Sequence, residues 1–179
     1  MNDNVKMIIR EWVESIVIAV VLALIVRAFI IQAFKIPTGS MRPTLMENDR
    51  IFVNKFIYRF KEPQVGDVIV FRDPEDRKKD LVKRLIARGG DVVEISQSRI
   101  KLNGQVIDTP PISEFYYYNR GDVGKEGQEI NVPKDSFYAL GDNSASSKDS
   151  RYWGFVPRKN IIGKAIIIYW PPNRLKLIE

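Results

Sequence analysis

A serine stands in an uncovered loop within residues 36–45, IPTGSMRPTL. Pro37 and Pro43 restrict the backbone on either side of a short run of small residues, so the Ser40 hydroxyl projects with little steric cover. A serine becomes a nucleophile when a nearby base accepts its proton. The chain has no histidine and no cysteine. A Ser-His-Asp triad, a Cys-His pair and the usual zinc sites are therefore excluded, and a nucleophilic hydrolase would need a different base.

Lys83 is the candidate base. Strand alternation over residues 80–91, DLVKRLIARGGD, places Leu81, Lys83 and Leu85 on one face. Burial between leucines removes hydration from an ammonium and lowers its pKa from about 10.4. An amine that is half neutral near pH 8 requires a shift of roughly 2 units, or about 3 kcal/mol. The alternative is a partly exposed lysine whose stem covers the sheet while its head stays in water.

A polar loop, GDNSASSKDSRYWGFVP, occupies residues 141–157 and is dense in hydroxyls and charges. Asp142, Asn143 and Asp149 form side-chain turns in one interpretation, with Asp149 pairing locally with Arg151. In the other interpretation the loop orients a buried lysine, and one of its serine hydroxyls hydrogen-bonds the amine. Ser40 itself has the same two interpretations, because glycine and serine are common in ordinary turns.

An apolar run precedes residues 36–45, which we call the serine loop. Residues 15–34 contain one charged residue, Arg27, and a helix of that length spans roughly 30 Å, the thickness of a bilayer core. Lys6 and Arg10 favour a cytoplasmic N-terminus over residues 1–14. We predict a retained single-pass anchor at 15–34. A buried amphipathic helix and a cleavable signal peptide are the alternatives.

Residues 35–179 predict a mainly β domain of antiparallel sheets, either a folded barrel or a sandwich. Short runs rich in Val, Ile and aromatic residues alternate with turn signals, and Asn103-Gly104 predicts a two-residue hairpin. Residues 109–128 do not follow this alternation of short strands and turns, so we expect an excursion or flap with exposed aromatic residues. The predicted strands are residues 50–58, 67–71, 81–87, 91–96, 99–107, 137–140 and 164–170.

The charge pattern argues against nucleic acid as a partner. The 28 basic residues are distributed among 22 acidic ones, giving a net charge of +6 without a basic block. Attraction to an anionic lipid surface accounts for the excess equally well. The length of 179 residues fits one domain with a short appendage, since domains typically run to roughly 100–200 residues. We expect no metal and no cofactor.

Four segments together with the anchor give the chain a strong resemblance to a known family. PTGSMRPTL, GDVIVF, VKRLIARGGD and GDNSASSKDSRYWGFVP occur in the same order as in the bacterial type I signal peptidases. These are membrane-anchored Ser/Lys endopeptidases that remove signal peptides from exported preproteins. The short chain and single predicted span are similar to the compact Gram-positive type.

The resemblance assigns roles to residues. It implies Ser40 as nucleophile and Lys83 as general base, with Thr38 and the Ser40 backbone N–H holding the oxyanion. Ser147, or Ser146 as the alternative, would hydrogen-bond the Lys83 amine. Asp142 would lie near Arg84, and Asp149 would pair with Arg151 to shape the site.

The resemblance also implies a substrate and a location. Family substrates carry small residues at positions −1 and −3, which shallow apolar pockets would select. The substrate would pair with sheet edges near residues 36–40 and 80–83, and the catalytic domain would stand on the extracytoplasmic face of a plasma membrane. The pocket residues implied, for which core packing is an equal explanation, are Phe34, Ile36, Met41, Leu45 and Val82.

Two other functions remain open at this point. One is a membrane-tethered binding module in which the serine loop is inert. The other is a self-cleaving Ser/Lys regulator, which would be cytoplasmic and carry a DNA-binding domain; the anchor and the lack of a helix-turn-helix pattern argue against it.

Overall fold

The computed structural model describes residues 3–178, and within them the side chains of residues 7, 9–24 and 30–178. The described residues form two α-helices, twelve strands and six short 3-10 helices. In chain order the α-helices and strands are α1 Asp3–Phe29, β1 Ile31–Lys35, β2 Arg50–Asn54, β3 Val68–Arg72, β4 Asp80–Arg88, β5 Val92–Ser96, β6 Arg99–Leu102, β7 Gln105–Val106, β8 Ile130–Asn131, β9 Ser136–Leu140, α2 Ser150–Trp153, β10 Val156–Pro157, β11 Ile161–Trp170 and β12 Lys176–Leu177.

The prediction of a mainly β fold with antiparallel sheets is confirmed. Eight strands form one sheet in the order β1-β2-β11-β3-β4-β9-β10, with β12 paired to β11. Four strands form a second sheet in the order β7-β6-β5-β8. Every described strand pair is antiparallel. Strands β5, β6 and β7 are neighbours both in the chain and in their sheet, and short turns join them. Strand β11 comes much later in the chain than β2 and β3, yet it lies between them in the large sheet.

The predicted hairpin at Asn103-Gly104 is present between β6 and β7. Both turn residues have positive φ, 52° at Asn103 and 81° at Gly104. Asparagine and glycine adopt this left-handed conformation more easily than other residues, which is why the pair favours two-residue hairpins. Leu102 and Gln105 are register partners on either side of the turn.

The N-terminal helix differs from its predicted bounds. It begins at Asp3 and ends at Phe29, so the last five residues of the predicted anchor, 30–34, are not helical. Residues 31–35 instead form β1, which pairs with residues 50–54 of β2. An apolar run fits a helix and a buried strand equally well, and the backbone hydrogen bonds to β2 decide between them. Among the described residues, no helix is both long and apolar enough to cross a bilayer.

The large sheet carries an apolar core on each face. On one face Val53 of β2, Val70 of β3 and Ala165 of β11 pack with residues of the serine loop. On the other face Phe71, Leu85 and Phe137 pack together. Strand alternation separates the two sets, since successive side chains point to opposite faces. The serine loop thus packs by apolar contacts on the first of these two faces, which we call the inner face.

The segment 109–128 is tied to the core of the second sheet. Tyr116 and Tyr118 are exposed, as the sequence predicts for this excursion, at 74% and 46%. Tyr117 and Ile112, however, are buried against Val93 of β5. The two buried residues hold the segment in place beside the polar loop.

Candidate active site

Ser40 lies in a single 3-10 turn, Gly39–Met41, on the connection from β1 to β2. Its side chain is half-buried. Asn143, a hundred residues further along the chain, holds this turn with two hydrogen bonds. Its side-chain Nδ2 donates to the Gly39 carbonyl at 3.0 Å, and its backbone N–H donates to the Ser40 carbonyl at 3.1 Å. These two bonds fix the backbone from which the Ser40 hydroxyl projects.

The Lys83 amine meets that hydroxyl. Lys83 Nζ lies 2.6 Å from Ser40 Oγ, within hydrogen-bond distance. Lys83 is on β4 and is 3% exposed. The structure therefore brings together the two residues that the sequence singles out for nucleophile and base.

Burial sets the protonation state of this amine. Desolvation lowers the pKa of Lys83 from 10.5 to about 8, and a smaller coulombic attraction to Asp149 and Asp142 opposes the shift. Arg151 acts in the same direction as burial. Because arginines pair with both aspartates, their negative charges stabilise the lysine cation less than free carboxylates would. A substantial fraction of the amine is neutral near pH 8, which a general base requires.

A buried ion pair connects β4 to the polar loop. Arg84 Nε and Nη2 each donate to Asp142 at 2.8 Å, and both side chains are fully buried. Arg84 also donates to the Gly66 carbonyl at 2.7 Å, and the Thr44 hydroxyl donates to Asp142 at 2.5 Å. Thr44 thereby links the serine loop to the ion pair. Sequence reasoning expected the Arg84–Asp142 contact, which is present, and missed Thr44.

A second buried ion pair lies within the polar loop itself. Arg151 Nε and Nη2 donate to Asp149 at 2.8 and 2.7 Å, with both side chains fully buried. Arg151 also donates to Ser144 Oγ at 2.6 Å and to the Ser147 carbonyl at 3.3 Å. Asp149 in turn accepts the Gly141 N–H at 3.1 Å. The expected Asp149–Arg151 pair is present, and it shapes the loop from Gly141 onward.

Ser147 does not make the hydrogen bond to Lys83 that the resemblance implies. Its side chain is buried, and its Oγ has no hydrogen-bond partner among the described residues. Ser146 is exposed, so Ser147 is the serine of this pair that faces inward. Alternation alone could not show where the Ser147 hydroxyl points, because the loop has no regular period.

Gly141 separates Ser147 from the serine loop. A Cβ at position 141 would stand 2.3 Å from Ser147 Oγ and 2.5 Å from the Ser40 carbonyl oxygen. Real Cβ contacts are not this short, and the Ser40 oxygen belongs to the backbone, so it cannot rotate away. The serine loop and the polar loop can approach each other this closely only if residue 141 lacks a side chain.

Replacing Gly141 with alanine is therefore expected to displace Ser40 from Lys83. A displacement of about 1 Å at reacting atoms lowers rates by roughly 100-fold. We expect a loss of kcat of that order with KM less affected, measured on a precursor peptide. Gly127, which has open space around its Cβ position but a positive φ, serves as the control; Gly127→Asn should retain activity. Full activity in Gly141→Ala would contradict this geometry.

Thr38 lies at the mouth of the site. It is exposed, and its Oγ1 lies 3.5 Å from Ser40 Oγ, at the outer limit of a hydrogen bond. The Thr38 hydroxyl and the Ser40 N–H, the two oxyanion donors that the resemblance implies, are both on the serine loop. Threonine is branched at Cβ, so its rotamer is restricted, and the backbone sets where its hydroxyl can reach.

A cleft of ≈ 300 Å³ opens beside the two reactive atoms. The serine loop and the first half of β4 form its walls, and Ser40 and Lys83 line it. Four of the five expected pocket residues line it as well, namely Phe34, Ile36, Met41 and Val82. The fifth, Leu45, is fully buried in the inner core with Val53 and Ile168. Leu45 does not line this cleft, and its assignment to the pocket stays a prediction.

Sequence reasoning missed other residues of this cleft, above all Leu81 and Pro37. Leu81 follows the same alternation as Lys83, so the strand pattern contained a signal for it. Asn143 carried no such signal, since nothing local predicts a contact across 104 residues.

In the part of the chain that the structure describes, no three side chains of the metal-binding types come together.

Comparison with known proteins finds relatives that match most of the chain. The family described as "Signal peptidase, peptidase S26" matches residues 9–170. The chain is 42% identical to a signal peptidase I of Leptolyngbya laminosa over 174 residues, covering 93% of this chain and 82% of the relative. It is 33% identical to a signal peptidase I of Bacillus licheniformis, covering 98% of this chain and 96% of the relative.

A solved structure is similar as well. A crystal structure of a signal peptidase I from Enterococcus faecalis aligns with a TM-score of 0.47 and 27% identity, covering 58% of this chain and 97% of that chain.

Proposed function

The chain belongs to the signal peptidase family, peptidase S26, and on that premise we propose that Ser40 and Lys83 are the dyad with which it cleaves signal peptides from preproteins. The observation that carries the proposal is the 2.6 Å contact between Lys83 Nζ and Ser40 Oγ, made by an amine whose pKa burial lowers to about 8. The family assignment favours a peptidase over an inert binding module. It also favours a signal peptidase over a self-cleaving regulator.

The first half of the reaction forms an acyl-enzyme. Neutral Lys83 accepts the Ser40 proton as Oγ bonds to the carbonyl carbon of the scissile peptide, giving a tetrahedral oxyanion. The Ser40 N–H and the Thr38 hydroxyl are the donors proposed to stabilise that negative charge. As the C–N bond breaks, the Lys83 ammonium gives its proton to the leaving amine, the new N-terminus of the mature protein.

The second half returns the enzyme to its starting state. Lys83, neutral again, accepts a proton from water, whose oxygen bonds to the acyl carbon. Collapse of the second tetrahedral intermediate breaks the ester bond to Ser40 Oγ, and Lys83 returns its proton to that oxygen. The signal peptide leaves with a new carboxylate. Asn143, Thr44 and the two buried ion pairs take no proton; they hold the loop and strand that position the dyad.

Free sheet edges support an extended substrate in the cleft. Residues 80–84 of β4 pair with β3, whereas β9 pairs only from Arg84 onward, so the second edge of residues 80–83 has no strand partner among the described residues. β1 is likewise an edge strand, paired only with β2. A substrate strand adding to these edges gains backbone hydrogen bonds that do not depend on its sequence.

Selection of small residues at −1 and −3 fits the walls of the cleft. In an extended substrate, side chains two residues apart point to the same side. Phe34, Ile36 and Val82 line the cleft, and a pocket sized for a methyl group rejects larger side chains by steric clash. We propose these residues, with Met41, as the specificity pockets.

Topology completes the proposal. We propose that the helical part of the apolar run, residues 15–29, anchors the chain in a plasma membrane with residues 1–14 in the cytoplasm. The catalytic β domain, which includes β1 and continues to residue 179, would then stand at the extracytoplasmic surface. Support comes from the apolar sequence and from α1, of which all described side chains are exposed. Ser40 follows the helix end, Phe29, by eleven residues, so cleavage would occur close to the membrane surface.

The proposal predicts the pH dependence of cleavage. The detergent-solubilised full chain is incubated with a secretory precursor between pH 6 and pH 10, and product masses locate the cut. Because only the neutral amine accepts a proton, the rate is expected to rise with pH and level off above an apparent pKa of about 8. The cut should follow a small residue. A rate that stays flat from pH 6 to pH 10 would exclude Lys83 as the base.

A further inference from the structure

A second cleft, larger than that of the dyad, opens at the end of the sheet where β1 begins. Its volume is ≈ 640 Å³, and Gln32 of β1, Arg72 of β3 and Asp80 of β4 lie on its walls. Asp80 also lines the cleft of the dyad, so the two openings adjoin each other. Neither Ser40 nor Lys83 lines this second cleft. We call it the basic cleft because five cationic side chains line it, namely Lys55, Arg59, Arg72, Arg158 and Lys159.

The charges of the basic cleft are only partly compensated. Arg158 forms an ion pair with Glu62, and Asp80 is the one acidic residue on the lining. Among the described residues, the side chains of Arg72 and Lys159 make no ion pair and no hydrogen bond. Like charges gathered in one concave site repel each other and raise the local concentration of anions.

The walls of the basic cleft are fixed by the backbone. Buried Asn160 donates from Nδ2 to the Arg72 carbonyl at 3.1 Å, joining the segment that carries Arg158 and Lys159 to β3. The Lys55 N–H donates to the Ile30 carbonyl at 2.9 Å, joining the other wall to the residue that directly follows α1. Cations on fixed walls lose less conformational entropy on binding a ligand than cations on free chains.

An exposed aromatic pair stands beside the same wall. Phe56 and Phe60 are 36% and 73% exposed, and their rings pack edge to face with centroids 4.7 Å apart. Arg59 lies over the Phe56 ring at 5.5 Å. Aromatic side chains next to cations are typical of the headgroup level of a bilayer, where apolar groups can enter the lipid and charged groups can stay in water.

From these observations we propose that the basic cleft binds a phosphate group, with a phospholipid headgroup as its source. Guanidinium groups match phosphate oxygens in geometry, and lysine adds a further positive charge. The choice of a lipid headgroup as the source of the phosphate rests on the proposed anchoring by α1. In that arrangement the Lys55–Ile30 hydrogen bond holds the basic cleft at the level where lipid phosphates lie. Phosphate bound there would orient the neighbouring cleft of the dyad against the membrane surface.

The test measures binding to the full chain in neutral detergent micelles by calorimetry, with empty micelles as the blank. The probes are inorganic phosphate, dihexanoyl phosphatidylglycerol and dihexanoyl phosphatidylcholine. The cleft variant is Arg72→Gln with Lys159→Gln. The control is Arg99→Gln with Lys125→Gln, which removes the same charge from exposed pairs with Asp108 and Asp122 outside the cleft.

We expect saturable binding of phosphatidylglycerol that the cleft variant weakens roughly tenfold or more and the control leaves nearly unchanged. Equal weakening in both variants would show a general effect of net charge and overturn the proposal, as would the absence of saturable binding. Inorganic phosphate binding as tightly as phosphatidylglycerol would retain the phosphate site and overturn the lipid as its source. Should the cleft variant melt at a lower temperature, exposed Lys159→Gln alone replaces it.

Cleavage of a soluble precursor peptide in the same micelles separates this proposal from the proposed function. Arg72 and Lys159 do not line the cleft of the dyad, so the cleft variant should cleave the peptide at the wild-type rate. A chain that binds phosphatidylglycerol but cleaves nothing would contradict the proposed function alone.

Discussion

Lys83→Met is expected to lower kcat/KM for precursor cleavage by at least about 10⁴-fold, because nucleophile and base act as one unit. Methionine is apolar and similar in length, so it fills the space of the lysine stem and leaves Ser40 without a proton acceptor at 2.6 Å. The measurement is a steady-state cleavage assay on purified full chain. Lys101→Met, which removes a lysine paired with Glu94 on the second sheet, is the control and should cleave normally.

Combining the substitution with Ser40→Ala tests whether the two residues form one unit. The double variant is expected to be no slower than either single variant, since each alone already removes the proton transfer. Losses that multiply would show that Lys83 and Ser40 contribute independently, contrary to a dyad.

The same Lys83→Met substitution is expected to stabilise the fold at neutral pH. The folded pKa of about 8 lies below the unfolded value of 10.5, so the unfolded chain binds more protons between these values and wild-type stability rises with pH across them. Below pH 8 the full penalty for a buried ammonium is present, about 3 kcal/mol at 1.36 kcal/mol per unit. Methionine carries no such penalty.

Denaturant unfolding of the wild type and Lys83→Met at several pH values checks this sign. The variant should be more stable by about 3 kcal/mol at pH 7, and the difference should vanish above about pH 10.5. A difference that does not change with pH would mean that Lys83 is not desolvated in the folded chain. Catalysis by this lysine is thus expected to be maintained at the expense of stability.

Asp149→Ala is expected to destabilise the fold by roughly 3–5 kcal/mol, because it leaves the Arg151 guanidinium buried without its counter-charge. Both side chains are fully buried in the wild type. Such a loss is a large fraction of the roughly 5–15 kcal/mol that holds a typical domain together. The polar loop would then lose its shape from Gly141 onward, and activity would fall with it.

Thermal unfolding of the full chain in detergent measures that effect. The control is Asp108→Ala, which breaks an ion pair with Arg99 that is 76% exposed on the aspartate side and should leave the melting temperature unchanged. A further variant, Asp149→Ala with Arg151→Met, removes both charges and should recover part of the lost stability. If it recovers none, the destabilisation comes from the lost hydrogen bonds of Asp149 and Arg151 to the loop and not from the unpaired charge.

Local patterns predicted much of the architecture. The alternation of apolar residues marked the central strands, and Asn103-Gly104 marked a hairpin whose positive φ values the structure shows. The same patterns misjudged the end of the anchor, where residues 31–35 are a strand and not a helix. An apolar run has no internal signal that separates these two structures, so the partner strand β2 decides.

The sequence by itself determined which chemistry was available. With no histidine and no cysteine, a nucleophilic serine had to rely on another base, and Lys83 was the lysine placed between leucines on a strand. Motif order identified the family. These conclusions depend on residue types and short-range spacing, which folding does not change.

Only the tertiary structure decided which side chains meet and how deeply they are buried. Ser40 and Lys83 lie 43 residues apart yet are in contact. Met41 and Leu45 belong to one buried cluster, yet only Met41 lines the cleft. The Ser147 hydroxyl has no hydrogen-bond partner in the described part of the chain. The physical reason is that contact and desolvation depend on which segments the fold packs together. Packing brings β4 against the turn that carries Ser40, and the same packing excludes the water that would otherwise keep the lysine charged.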